Sequence, residues 1–246
     1  MSRSPGLTER LDLLGEALEA GRGALPPALL DEGDQLLATA RERLGLAGEA
    51  TVVALAGATG SGKSSLFNAL AGSALAPAGP TRPTTGEAAA ALWASDPEVA
   101  HELLGWLDVG VRHVLPPRDG LPADLVLLDL PDHDSVAVAH REVAERLYQR
   151  VDLLVWVLDP QKYADGVLHE RYLRPLSALA PVMVLVLNQA DRLTPDERAA
   201  CLQDLRRLAA ADGLGRVPVL AVSARTGEGV DELRGLLAAA AARRRA

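Results

Sequence analysis

From Thr51 onward, short apolar runs alternate with stretches of helical periodicity. The runs are TVVALAG at 51–57, the less regular EAAAALWA at 87–94, LVLLDL at 125–130, VDLLVWVLD at 151–159, PVMVLVLN at 181–188 and VPVLAVSA at 217–224. Such runs suit strands buried on both faces, and segments near 63–71, 134–150, 165–178, 195–211 and 229–244 read as the helices between them. Strands that alternate with crossover helices predict a three-layer α/β domain, doubly wound around a mostly parallel sheet. Residues 1–48 carry a different pattern. Leu7, Leu11, Leu14 and Leu18 share one helix face. After a break at Gly21–Pro27, a second helical pattern runs from Pro27 to Leu44 and should end at Gly45 and Gly48. The chain therefore divides into an N-terminal helical segment, 1–48, and an α/β domain, 49–246. The apolar face of the two helices must pack on that domain or pair with another chain.

Composition narrows the class. With 246 residues, 48% of them hydrophobic, the chain can bury one sizeable core and a small appendage. A net charge of −8 argues against a broad nucleic-acid surface, so no DNA partner is indicated. Cys201 is the one cysteine and reads as a small helix residue, because a single thiol cannot form an internal disulfide. No apolar run approaches the roughly 20 residues that span a bilayer. The N-terminus lacks the pattern of a signal or transit peptide, which makes a cytoplasmic location the expectation. His101, His113, His140 and His169 lack metal-ligand spacing, so no zinc site is expected. Trp156 lies mid-strand and reads as core.

GATGSGKSS, residues 57–65, fits G-x-x-x-x-G-K-[ST] between an apolar strand and a helix. Backbone N–H groups of Gly57, Ala58, Thr59, Gly60, Ser61, Gly62, Lys63, Ser64 and Ser65 are expected to wrap phosphate oxygens, with the positive pole of the following helix behind them. Lys63 should reach the β- and γ-phosphates as a point charge, and the Ser64 hydroxyl should ligate Mg²⁺. Asp129, at the end of the 125–130 run, can hold Mg²⁺ directly or through water. NQAD, residues 188–191, follows another strand. The Asp191 carboxylate can accept from N1–H and the 2-amino group of guanine, which adenine lacks, and would otherwise stay unpaired. Asn188 should bridge the base edge and the neighbouring loops. In SARTGEGVDEL, Ser223 and Ala224 are expected to present backbone N–H groups to the guanine carbonyl, with Arg225 beside them.

The ordered set GATGSGKS, Pro-Thr-Thr, DLPD, NQAD and SAR resembles the TRAFAC-class P-loop GTPases over about 51–244, the Era-like and dynamin-like branches in particular. LDLPDHDSV, DLLVWVLDPQKYAD and LNQADRL are similar, more narrowly, to actinobacterial YfjP-type, dynamin-family GTPases. The resemblance implies GTP/GDP and Mg²⁺ as ligands and hydrolysis of GTP, slow without a partner. It also implies a switch loop at about 77–87 in which Thr84 or Thr85 completes the Mg²⁺ shell. His133 would orient water, and Arg82 is read as a solvated loop residue rather than an arginine finger. A protein partner or self-association through switch loops and N-terminal helices is consistent with it; membrane contact rests on the family analogy alone. Three departures stand out. Gln189 replaces the usual Lys that covers the base. Asp132 replaces the glycine of D-x-x-G, where a carboxylate would repel a γ-phosphate unless it turns away or binds metal. Gly60 replaces the Asn found in potassium-stimulated members. A binding module with negligible hydrolysis and an ATP-using P-loop enzyme are the alternatives.

Overall fold

The computed structural model describes residues 7–47, 50–76, 87–93, 97–118, 120–122, 124–132, 147–148 and 150–245. Within them lies a seven-stranded sheet: β1 (Thr51–Gly57), β2 (Ala89–Trp93), β3 (Val111–Val114), β4 (Leu125–Asp129), β5 (Leu153–Leu158), β6 (Met183–Leu187) and β7 (Val219–Ala221). The spatial order is β3-β2-β4-β1-β5-β6-β7. Every neighbouring pair is parallel except β2 and β4. This is the doubly wound, mostly parallel sheet that the apolar runs predict. Its helices are α1 (Leu7–Gly21), α2 (Pro27–Ala47), α3 (Lys63–Ala71), α4 (Pro97–Trp106), α5 (Pro195–Ala211) and α6 (Val230–Arg245).

The period-2 alternation of the strands explains the two cores. On one face, Ala54, Leu128, Trp156 and Leu185 are buried against Leu103 of α4 and Leu205 of α5. On the other, Leu55, Leu127, Val155 and Val186 meet Leu66, Phe67 and Leu70 of α3 and Leu233 and Leu237 of α6. Both sides of each central strand are dry, so apolar residues at consecutive positions are all buried. Local chemistry fixes the helix starts. Thr194 accepts from Glu197 N, and the Glu197 carboxylate accepts from Thr194 N, a reciprocal cap that starts α5 at Pro195.

Several elements depart from expectation. α4 and β3 were not anticipated, because β3 is the sheet edge and its VRHV sequence has no apolar run; its first and last residues are exposed. The 165–178 region is not one regular helix. Gly166–Leu168 is followed by a π turn over His169–Leu173 and a 3₁₀ segment over Pro175–Val182. Pro175 has no N–H to continue an α ladder. The His169 ring is drawn inward instead, with Nδ1 2.5 Å from Asp212 Oδ2 and Nε2 2.8 Å from Tyr163 O. α2 continues through Gly45 to Ala47.

The helical segment packs as a hairpin around Leu11, Leu18 and Leu37. It meets the sheet domain through α2 on α4. Arg43 ties the two together, donating to Asp152 Oδ2 at 2.9 Å and Ala50 O at 3.1 Å, while the same carboxylate oxygen accepts from Val52 N at 2.7 Å. Of the two packing solutions for the helices, docking on the following domain is seen for α2. Leu29 and Leu36 remain exposed. Among the described residues no helix is long and apolar enough to cross a membrane.

Candidate functional site

β1 lies between β4 and β5; the chain leaves β1 toward β2 on one side and leaves β4 toward β5 on the other. The carboxyl ends of such strands open a crevice at the point where the winding reverses. Gly57 ends β1 opposite Val157, Asp129 pairs with Leu55, and Leu187 ends β6 beside Ala221. Four motifs of the sequence, 57–65, Asp129, 188–191 and 223–225, thus emerge at the carboxyl ends of their strands.

The loop after β1 turns into α3 through Gly62, whose φ of 89° is left-handed; no side chain caps the helix start. A Cβ there would fall 2.3 Å from Asn188 Nδ2, so only glycine allows the loop and Asn188 to close up. Lys63 is buried. Its Nζ donates to Gly57 O at 2.9 Å and Ala58 O at 3.2 Å, and pairs with Asp132 Oδ1. Ser64 Oγ donates to Asp129 Oδ2 at 2.7 Å. The other Asp129 oxygen, Oδ1, is buried with no hydrogen-bond partner among the described residues. Burial pushes the Asp129 carboxyl up to about 6, against the opposing pull of the Ser64 hydrogen bond and the Lys63 charge; Asp132 adds to the rise. A buried carboxylate with one idle oxygen beside a hydroxyl is a set of hard oxygen donors, and it fits a divalent ion such as Mg²⁺.

The other end is built by Asn188, Asp191 and the loop after β7. Asn188 Nδ2 donates to Ser61 O at 2.9 Å, and Asn188 Oδ1 accepts from Ala224 N at 3.1 Å. One side chain therefore joins the 57–65 loop to the 223–225 loop. Gln189, at φ 60°, donates through Nε2 to Gly60 O at 2.9 Å and accepts from Arg192 at 2.6 Å. Asp191 Oδ1 accepts from Ser223 Oγ at 2.5 Å. Its Oδ2 accepts from Arg225 Nε at 2.8 Å and from the Arg225 terminal nitrogen at 2.6 Å. The Ser223 hydrogen bond, then Arg225, holds the Asp191 carboxyl below the usual range. A cleft of about 600 Å³ beside this end is lined by Ser65, Asn68, Gly72, Ala224 and Arg225.

One expectation needs correction. The Ser223 N–H, expected at a base carbonyl, donates to Glu228 O at 2.8 Å. The loop closes on itself there, so Ser223 contributes its hydroxyl to Asp191 instead. Ala224 N–H is spent on Asn188 in this structure. Thr84, Thr85, Arg82 and His133 lie outside the described residues. The sequence reading missed Asn68, which holds the chain leaving α3 by accepting from Leu75 N and Ala76 N at 2.9 Å each and donating to Ala76 O at 2.8 Å. No local pattern marks that role. It also missed the Arg225–Asp191 and Lys63–Asp132 pairs, although the unusual Asp132 was visible.

Residues 52–189 match the family model described as 50S ribosome-binding GTPase. The chain belongs to this GTPase family. No curated protein matches the chain in sequence. Solved structures with the same fold include an Aquifex aeolicus Era variant bound to GDP·AlF4⁻, at 18% identity and TM-score 0.58, covering 76% of this chain and 56% of that one. Arabidopsis thaliana Toc33 in complex with GDP and Mg²⁺ aligns at 14% identity and TM-score 0.57, over 85% of this chain and 93% of that one. A member of an oligomerised bacterial dynamin pair aligns at 15% identity and TM-score 0.56, over 94% and 42%. The chain thus spans little more than half of the Era chain and under half of the dynamin chain.

Proposed function

We propose that this protein binds guanine nucleotide with Mg²⁺ and hydrolyses GTP to GDP and phosphate, working as a nucleotide-dependent switch. The observation that carries this reading is the double hydrogen bond of Asn188, to Ser61 O and from Ala224 N. It joins the phosphate-loop motif to the two motifs suited to guanine, though 127 and 36 residues separate the partners. In this reading the amides of 57–65 hold the phosphates and Lys63 binds the β- and γ-oxygens. Ser64 and Asp129 hold Mg²⁺. Bound Mg²⁺ would supply charge neutralisation across the terminal phosphates. Asp191 selects guanine by accepting its two donors, with Ser223 steadying the carboxylate. Thr84 or Thr85 would complete the metal shell, and His133 would orient the attacking water. Turnover without a partner is slow. Membership of the Era-like or dynamin-like branch, the narrower actinobacterial YfjP-type likeness and a cytoplasmic location belong to the same proposal.

A second reading, a GTP-binding module with negligible turnover, is favoured by one contact: Asp132 on Lys63. Two measurements test the pair. Competition of GTP and ATP for the purified full chain should favour GTP by at least about a hundredfold, as expected where a fixed carboxylate reads donors that the rival lacks. Equal affinity would remove the guanine assignment. Single-turnover hydrolysis should release phosphate from bound GTP; none over many hours, with or without Mg²⁺, would leave only the binding module.

A further inference from the structure

The Lys63 ammonium has three N–H donors. In this structure two are used by Gly57 O and Ala58 O, and the third by the Asp132 carboxylate. The Lys63 side chain is only 3% exposed and that of Asp132 14%, so water does little to screen the pair. A phosphate oxygen that approaches this ammonium meets a donor set already committed, and its anionic competitor is Asp132. Two anions cannot share one buried ammonium without repelling each other.

The consequence differs with the number of phosphates. The amides of the 57–65 loop hold the inner phosphates, and Lys63 reaches the outer ones. At Lys63 a diphosphate presents its β-oxygens alone, which can take the donors now spent on the Gly57 and Ala58 carbonyls and leave the carboxylate its own. A triphosphate brings a further charged group to the same point and must turn the carboxylate out. The segment can let go locally. Asp132 stands three residues beyond Asp129, and Leu130, two residues before it, is tied back to β1 by a hydrogen bond from its N–H to Leu55 O at 3.2 Å. Expulsion of Asp132 therefore need not disturb the sheet.

We propose that Asp132 determines the preference between guanosine di- and triphosphate: it occupies Lys63 as a stand-in for the terminal phosphate and biases the site toward the diphosphate. This rests on the reading of 57–65 as a phosphate cradle. The test is titration of the full chain, with Mg²⁺, by GDP and by the non-hydrolysable analogue GMPPNP. Wild type is compared with Asp132→Asn, which keeps the shape and removes the charge, and with Asp132→Gly, which removes both. Loss of one unscreened carboxylate should tighten GMPPNP at least about tenfold and GDP less than about threefold in both variants. If Asp132→Asn does not fold, Asp132→Gly alone decides. A GMPPNP-to-GDP affinity ratio that stays within about twofold of wild type would overturn the role of Asp132 and leave the nucleotide site standing. If neither nucleotide binds any of the three proteins, the cradle itself is wrong, and Asp132 loses its role with it.

Discussion

The two ends of the candidate site handle charge in opposite ways. At the phosphate end, Lys63 and Asp129 are buried, and each must find its partner nearby. At the base end, Arg225 is 75% exposed and leans over the Asp191 carboxylate, which is 12% exposed. Exposed ion pairs contribute little because water and salt compete for both members. Buried charges left unmatched cost several kcal/mol. The phosphate end is thus committed: its charges matter to folding as well as to ligand. The base end is adjustable, and in the proposed function a guanine would replace Arg225 on Asp191 at small cost.

Three substitutions test this contrast. The largest effect should come from Lys63→Ala. Removal of a buried ammonium that faces anionic oxygens should weaken triphosphate binding by at least about a hundredfold, read by titration. Unchanged affinity would mean that phosphate binds elsewhere. Asp129→Asn should separate stability from function. The carboxyl sits at about 6 in the fold, above its ordinary 3.8, so its charged form is disfavoured by burial. A raised carboxyl contributes stability that is full at acid pH below about 4 and is lost as pH rises through about 6. At pH 7.5 the charged group is therefore a burden, and Asp129→Asn should raise the unfolding free energy by about 2 kcal/mol. The gain should vanish near pH 4, while Mg²⁺-dependent nucleotide affinity falls. Equal denaturant midpoints for the two proteins at pH 7.5 would contradict that account of the burial. The smallest of the three is Asp191→Asn. It should leave phosphate affinity in place and move preference from guanine toward xanthine nucleotide by roughly tenfold, since an amide donor now faces the C2 oxygen. Guanine selectivity retained in that variant would deny Asp191 the base.

The fold was largely legible because each central strand is apolar at successive positions and α5 carries its own start signal in Thr194 and Glu197. The edge was not legible. β3 has exposed ends and a sequence with no apolar run, and only pairing with β2 makes it a strand. The irregular 165–182 stretch was also hidden, since Pro175 breaks the ladder while Asp212, far along the chain, draws in His169. Within the site, the residue types and spacing of 57–65 and 188–191 marked both as candidates, and the fold brings the two together. Asn68 carried no signal, because its three partners lie in the backbone of a turn.

By itself the sequence determined what nearest-neighbour chemistry can encode: which runs are buried on both faces, where helices start, and that a glycine-rich turn leads into a helix beginning at Lys63. The tertiary structure alone decided which distant charges meet. Asp132 is 69 residues from Lys63 and Arg225 is 34 from Asp191, so no local pattern relates them. Their meeting follows from parallel strands that deliver all their carboxyl ends to one edge, where charges with no other company must satisfy one another.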